Sequence, residues 1–255
     1  MNGMNRRRRA AKRCLILMLA LGLLTSAAMG EGRGDLSERF ADVPRVEYDG
    51  ETYYLRDRMS AVMVAGLLPD EADGLPRADL AAIFVIDDNE KRITPIYIDG
   101  WTAVETGEGS MPLREVCAQG RDPTESCEYM REAVNNLLGG ELIESYMGID
   151  LDGITQIAGF GGIDGGTRER LHQLRLALER IPSKQLNEMY GAISGYLITD
   201  MKSGAVMRML DKADRYEIAG TVDLPVLPGE EEALIPDAER ILELVISVFY
   251  EAELL

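Results

Sequence analysis

The stretch RITPIYIDGW places a carboxylate at a position where chemistry is often done. A β-type run from Ile93 to Ile98 ends at Asp99, which is followed by a glycine and the only tryptophan of the chain. A second acid, Asp79, precedes the apolar run before it. Side chains at strand ends are held by a rigid sheet and are often functional. An aspartate followed by glycine is also a good turn former, so the local sequence leaves both interpretations open.

The elements that must position these acids are two predicted strands. The segment ADLAAIFVIDDNEKRITPIYID contains two apolar runs joined by the polar turn 88–91, which predicts a β-hairpin. Asp79 would begin the first strand and Asp99 would end the second. In an antiparallel pair these positions lie close together, so both carboxylates could bind one cation.

Strands and helices alternate along the chain, which predicts a single α/β domain. A buried strand is expected at 61–68. A helix is expected from Pro123 to Leu138, with Asp122 as its N-cap and Gly139 at its end. The remaining predictions are a strand within 142–150, helices near 151–162, 168–180, 184–197 and 203–213, a strand at 217–225, and a last helix opened by Pro236.

The N-terminus predicts export from the cytoplasm. Residues 1–30 contain six basic residues and no acid, and the basic cluster is followed by the apolar run CLILMLALGLLTSAAMG. This pattern is typical of a signal peptide, and a retained membrane anchor is the alternative. Residues 31–50 are polar and are expected to form a flexible lead-in to a domain at 51–255.

Charge excludes one class of partner. The chain has a net charge of −17, and without residues 1–30 it has 21 basic against 44 acidic residues, a net charge of −23. Nucleic-acid binding depends on cationic contacts to phosphate, so no nucleic-acid partner is expected. A body this acidic would also be repelled by anionic lipid headgroups.

The predicted export bears on whether the cysteines form a disulfide. Cys14 lies in the targeting segment, which leaves Cys117 and Cys127, separated by nine residues. An even pair outside the reducing cytosol predicts a disulfide, and two buried free thiols are the alternative. A metal site needs more ligands than two cysteines and the distant His172.

The order of these elements resembles the LytR-CpsA-Psr (LCP) family of bacterial cell-envelope proteins, over about residues 50–252. No single motif is decisive, but the order of all of them is. The matching stretches are AVMVAGLL, PRADLAAIFVID, RITPIYIDGW, MPLREVCAQG, CEYMREAVNNLLGGELIESYMGIDLDGI, GYLITDMKSGAVMRML and IPDAERILELVISVFYE.

The resemblance implies a fold and an activity. The fold would be α/β, with a central mixed β-sheet packed between helices on both faces. The activity would be transfer of a glycopolymer from a polyprenyl-pyrophosphate carrier to peptidoglycan, with Mg²⁺ or Mn²⁺ at the pyrophosphate. Asp79 and Asp99 would hold the metal, and Asp99, Arg77, Arg170 and Arg175 would be catalytic. The three arginines would also bind the substrate, because guanidinium groups stabilise charge on phosphate oxygens.

Four charged positions of the family's pattern are lost in this chain. Leu68 stands in place of an aspartate, Ile98 in place of the arginine of Pro-Arg-Asp, Pro112 in place of a lysine, and Gln173 in place of an arginine. These losses favour a relative that binds a polyprenyl-phosphate-linked ligand with reduced or no phosphotransferase activity. The alternatives are an active phosphotransferase and a secreted structural protein without a ligand.

Ordinary structural roles remain open for the individual residues. Arg77 and Asp79 could form a surface ion pair. Arg170 and Arg175 could lie on a solvated helix face, and Trp101 could line the core or a groove.

Overall fold

A computed structural model of the chain describes residues 44–70, 72–161, 186–206, 208, 215–220, 222–230 and 233–252. Within these ranges, no helix has the length and apolar character that crossing a membrane requires. The predicted signal or anchor segment at 1–30 and the predicted helix at 168–180 lie outside the described residues.

The chain alternates strands and helices as predicted. The described strands are β1 (Arg45–Tyr48), β2 (Glu51–Leu55), β3 (Met59–Pro69), β4 (Pro76–Arg77), β5 (Leu80–Asp87), β6 (Arg92–Asp99), β7 (Ala103–Thr106), β8 (Gly109–Pro112), β9 (Ser145–Asp150), β10 (Leu197–Thr199), β11 (Glu217–Ile218), β12 (Val222–Asp223), β13 (Val226–Pro228), β14 (Leu234–Pro236) and β15 (Tyr250–Ala252). The α-helices whose bounds are described are α1 (Leu113–Val116), α2 (Pro123–Leu138), α3 (Leu151–Gly161), α4 (Leu186–Ile193) and α5 (Ala238–Phe249), and residues 203–206 and 208, within the helix predicted at 203–213, are helical as well.

A mixed central sheet organises the domain, which confirms the predicted fold class. Its strand order is β10-β9-β3-β5-β6-β11, with β12 also on β6 and β4 on the end of β3. β3 and β9 are parallel, as are β6 and its partners β11 and β12, whereas the hairpin of β5 and β6 is antiparallel.

Both faces of the sheet are covered, which explains the near-continuous apolar runs of β3 and β5. Ala61, Met63 and Ala65 belong to a core cluster that also contains buried residues of α2 and α5. Val62 and Val64 alternate with them and are buried on the opposite face. α3 packs against β3 and β9 with side chains outside that core cluster. Helices therefore lie on both faces of the sheet.

α2 matches its predicted bounds because its caps are local. The Asp122 carboxylate accepts hydrogen bonds from the backbone N–H groups of Thr124 and Glu125. Gly139 ends the helix with φ 82°, a left-handed conformation that glycine adopts without strain.

Other boundaries are corrected by the structure. Pro236 ends β14, and Asp237 is the N-cap of α5, so the prediction that Pro236 opens the last helix is wrong by two residues. The predicted helix at 184–197 is shorter, since a 3₁₀ turn at Ser194–Tyr196 follows α4 and Leu197 begins β10. The strand predicted at 217–225 is divided into β11 and β12.

The predicted flexible lead-in extends too far. β1 pairs with β2, and β2 pairs with β15, so residues 45–48 belong to a small three-stranded sheet of the domain. Val46 and Tyr48 are half-buried while Arg45 and Glu47 are exposed, the two-residue period of a strand with one covered face. The domain therefore begins before residue 51.

Candidate functional site

The hairpin of β5 and β6 brings the backbones of the two predicted acids together. Leu80 pairs with Asp99, and the Gly100 N–H donates to the Asp79 carbonyl at 2.9 Å. A Cβ on Gly100 would lie 2.3 Å from the Ala78 oxygen and 2.8 Å from the Asp79 Cα. Glycine is therefore required at position 100, because any side chain would collide with the opposite strand.

The two carboxylates nevertheless have different partners. Asp99 is exposed, and its Oδ1 accepts a hydrogen bond from the Trp101 N–H at 2.9 Å. Asp79 lies in the bend just before β5, and its carboxylate faces a guanidinium group instead. That both carboxylates meet one cation stays a prediction; in this structure Asp99 bonds the backbone of its own turn, and Asp79 pairs with an arginine.

That arginine is Arg114, which the sequence analysis missed. Its side chain is only 6% exposed, and its Nη1 lies 3.2 Å from the Asp79 Oδ1. Its Nη2 lies 3.5 Å from an Asp70 carboxylate oxygen, and its Nε lies 3.6 Å from a Glu115 oxygen. The guanidinium also stacks over the Trp101 ring, 4.5 Å from the ring centre. Arg114 is therefore enclosed by three carboxylates and an aromatic ring.

The position of Arg114 is set by the backbone around α1. The Arg114 N–H donates to the Gly100 carbonyl, and the Leu113 N–H donates to the Thr102 carbonyl, both at 2.9 Å. Leu113 and Val116 are buried in the core cluster. The turn after β6 and the start of α1 are thus fixed to each other, which holds the guanidinium beside Asp79.

Arg77, one of the predicted catalytic residues, is also held by acids of this chain. Its Nη2 lies 2.9 Å from Asp73 and its Nε 3.0 Å from Glu115. Burial lowers the pKa of Arg77, but the Glu115 and Asp73 carboxylates outweigh this effect and hold its pKa above the ordinary value. The pKa of Asp73 is lowered by the Leu75 backbone N–H and, in addition, by Arg77.

These residues form what we call the arginine cluster: Arg77, Arg114, Asp70, Asp73, Asp79 and Glu115. Glu115 contacts both guanidinium groups and so links the two halves of the cluster. Two cations face four carboxylates, which gives the cluster a formal charge of −2. An added anion would be repelled by this charge, and both guanidinium groups already have partners.

The metal that the resemblance implies does not fit this arrangement. Mg²⁺ and Mn²⁺ need several oxygen ligands around one point. Asp79 is paired with Arg114, and Asp99 bonds the backbone of its own turn. Among the residues that the structure describes, no three side chains of His, Cys, Asp or Glu are placed to hold a metal ion.

Two of the four departures, Leu68 and Ile98, are buried where they cannot contact a phosphate, and Gln173 lies outside the described residues. Ile98 is completely buried in the core cluster and Leu68 is 6% exposed. Pro112 ends β8 just before α1 and supplies no cation. Arg170 and Arg175, the other two predicted catalytic residues, lie outside the described part of the chain.

The predicted disulfide is wrong, because Cys117 and Cys127 are free, buried thiols. The Cys117 thiol is hydrogen-bonded with Ser126, and burial raises its pKa to about 12. Cys127 packs against β9, since a Cβ on Gly148 would lie 2.7 Å from its sulfur. Burial raises the pKa of Cys127, and the neighbouring Cys117 thiol and the charges of Asp200 and Glu128 raise it further.

A second arginine on an aromatic ring lies on α2. Arg131 stacks over Tyr146 at 5.9 Å, its Nη1 donates to the Glu144 carbonyl at 3.1 Å, and it lies 3.7 Å from Asp200. Its side chain is 32% exposed. It joins α2 to β9 and to the segment after β10.

A cavity of about 280 Å³ lies between the β7–β8 turn and α2. Glu105, Glu108, Gln119, Tyr129 and Glu132 are among its lining residues, and none of the predicted site residues within the described ranges is. The cavity is therefore separate from the arginine cluster.

No protein-family model and no curated protein matches the sequence. Solved structures do match it. B. subtilis TagV has a TM-score of 0.56 at 14% identity over 76% of this chain and 98% of that chain. Protein gbs0355 from Streptococcus agalactiae has a TM-score of 0.57 at 11% identity over 74% and 86%. TagT bound to LI-WTA, a wall teichoic acid ligand, has a TM-score of 0.55 at 9% identity over 75% and 90%. At these identities the likeness shows the fold.

Proposed function

Because this chain has the fold of TagV and TagT, which are LytR-CpsA-Psr proteins, we propose that it is an extracytoplasmic protein of the bacterial cell envelope. It binds a polyprenyl-phosphate-linked glycopolymer and transfers it to peptidoglycan slowly or not at all. The basic cluster and apolar run within residues 1–30 support export, either as a signal peptide or as a membrane anchor.

The arginine cluster is the observation that supports slow or absent transfer. Arg77 is bound by Asp73 and Glu115, and Arg114 by Asp70 and Asp79. Pyrophosphate transfer requires cations aimed at the developing charge on phosphate oxygens. A guanidinium already neutralised by carboxylates supplies little of that stabilisation.

Two further cations are missing from the expected site. Ile98 and Pro112 stand where the resemblance places an arginine and a lysine. Removing one group that stabilises developing charge commonly lowers the rate by about 100- to 1,000-fold. The two losses act on one ligand and need not add, but together they keep turnover very low.

Ligand binding is expected to suffer less than turnover. A polyprenyl chain gains about 0.8 kcal/mol for each CH₂ that it buries, independently of its head group. Affinity for the lipid can therefore persist where the phosphate contacts are weak. Arg170 and Arg175 remain candidates for the head group.

The experiment compares binding with turnover in the full-length chain purified in detergent. Binding of a polyprenyl phosphate is measured by native mass spectrometry. Release of polyprenyl phosphate from a polyprenyl-pyrophosphate-linked substrate, with peptidoglycan present as the acceptor, is then measured with Mg²⁺ or Mn²⁺, beside an intact LytR-CpsA-Psr enzyme. We expect binding with release at least about 100-fold below that enzyme. Arg131→Met, which changes an arginine away from the cluster, should leave binding unchanged.

An active phosphotransferase is the second candidate, and the exposed carboxylate of Asp99 favours it. Release at the rate of the intact enzyme, abolished by Asp99→Ala, would establish this candidate and contradict the first. Failure to bind the lipid would contradict both.

A further inference from the structure

We propose that Arg114 is a built-in cation of this domain, which takes the place of a divalent metal beside Asp79. The chain therefore takes up neither Mg²⁺ nor Mn²⁺ at the arginine cluster. The inference rests on the proposed function only for the location of the site, and its experiment measures metal binding, not transfer.

The first argument is the placement of the carboxylates. Asp70, Asp79 and Glu115 come from three separate segments, and each has an oxygen within 3.6 Å of the guanidinium. Carboxylate oxygens are the ligands that a hard divalent cation takes, although with the guanidinium between them these three are not placed to hold one. Here the space between the three carboxylates is filled by the planar guanidinium.

The second argument is that the guanidinium cannot leave easily. Its side chain is 6% exposed, it stacks on Trp101, and its backbone N–H is bonded to the Gly100 carbonyl. An arginine stays protonated at every physiological pH. Its departure would leave three carboxylates facing one another without a cation, which is costly in a partly buried site.

The third argument concerns competition. A metal beside Asp79 would have to share the space with a guanidinium 3.2 Å from the same oxygen. The two cations would repel each other strongly in this poorly solvated position. Metal and arginine are therefore alternatives at this point.

Trp101 supplies the test, because it is the only tryptophan and its ring lies 4.5 Å from the Arg114 guanidinium. Paramagnetic Mn²⁺ bound at this point would quench its fluorescence. In the wild-type full-length chain, we expect no saturable quenching up to about 1 mM Mn²⁺. Arg114→Met keeps the apolar stem over the ring and removes the charge, so this variant should show saturable quenching in that range.

Three variants control the measurement. Adding Asp79→Asn to Arg114→Met should abolish the quenching, because it removes a ligand. Arg114→Lys keeps a cation and should stay insensitive to Mn²⁺. Arg131→Met removes an arginine from another aromatic ring and should behave as the wild type does.

Two outcomes would overturn the inference. One is saturable quenching of the wild type that Asp79→Asn abolishes, a result that requires no Arg114 variant to fold. The other is an Arg114→Met variant with native circular dichroism that does not respond to Mn²⁺. Lipid binding and release of polyprenyl phosphate are measured in separate experiments. A failure of the proposed function can therefore be distinguished from a failure of this inference, which concerns Mn²⁺ binding alone.

Discussion

Arg114 and Arg131 make the same two kinds of contact in two regions of the molecule, with different surroundings. Each guanidinium stacks on an aromatic ring and pairs with an aspartate. Arg114 is 6% exposed and faces three carboxylates, whereas Arg131 is 32% exposed and also bonds a backbone carbonyl.

This difference indicates that burial and the number of charged partners decide how much such an arginine contributes to stability. Arg131 joins α2 to β9, and water can replace much of what it contributes. Arg114 neutralises carboxylates that converge from separate segments. Because the positive charge of Arg114 offsets those carboxylates, its removal should lower the free energy of unfolding more than removal of the Arg131 charge does.

The largest expected effect is that of Arg114→Met. Removing one member of a buried charge network leaves uncompensated charges, and it should lower the free energy of unfolding by about 3 kcal/mol, measured by urea denaturation. Adding Asp79→Asn should restore part of this loss, because it removes one unpaired carboxylate. A loss no larger than that of an exposed ion pair would contradict the comparison.

Gly100→Ala should come next, because it disturbs the geometry on which Arg114 depends. The added Cβ would collide with the backbone of Ala78 and Asp79. We expect a loss of about 2 kcal/mol in urea denaturation. Gly107→Ala is the control, since nothing lies within 4 Å of a Cβ there. Equal stability of the two variants would show that the close approach at Gly100 is not needed.

Arg131→Met should have a smaller effect, about 1 kcal/mol in the same measurement. Its guanidinium is partly solvated, and the methionine keeps much of the apolar contact with Tyr146. High salt should reduce the difference from the wild type because the pair with Asp200 is screened. An effect as large as that of Arg114→Met would remove the distinction between the two regions.

The smallest effect concerns the thiols, one in each region. The hydrogen bond with Ser126 and the charge of Arg77 partly offset the raised pKa of Cys117, whereas Cys117, Asp200 and Glu128 all raise the pKa of Cys127 further. Both thiols should resist alkylation at pH 8 and react after unfolding. As the pH rises, Cys117 should react first, as mass spectrometry of the labelled peptides can show.

The raised pKa values of the two thiols predict how the free energy of unfolding depends on pH. A thiol whose pKa is raised in the folded state favours folding fully below about pH 9, and this contribution is lost as pH rises toward 12. The free energy of unfolding should therefore fall through that range. The double variant with serine at positions 117 and 127 should lose less over the same range.

Much of the fold could be predicted because its signals are local. The caps of α2 follow from Asp122, Pro123 and Gly139, and the hairpin of β5 and β6 follows from two apolar runs around a polar turn. The bounds that failed depend on distant partners. β1 is a strand because β2 lies beside it, and Pro236 ends a strand because β13 pairs with β14.

The site was predicted in part for the same reason. The proximity of Asp79 and Asp99 follows from the hairpin, but the partner of Asp79 comes from α1, and Asp70 lies 44 residues from Arg114. The one local signal was a pair of charges, Arg114 and Glu115, between apolar neighbours that become buried. An even pair of cysteines in an exported chain also suggested a disulfide, although the Cys117 thiol bonds with Ser126 and the Cys127 sulfur packs against β9.

The small sheet formed by β1, β2 and β15 joins segments of the chain that are synthesised far apart in time. The Arg56 side chain bonds the Tyr250 carbonyl across 194 residues of sequence. At about 5–20 residues per second, a ribosome needs roughly 10–40 s to make that stretch. Throughout this interval one edge of β2 has no strand beside it, although β1 is already present. The nascent chain can therefore complete this sheet only after β15 has been synthesised, so the sheet cannot form before nearly all of the described domain exists.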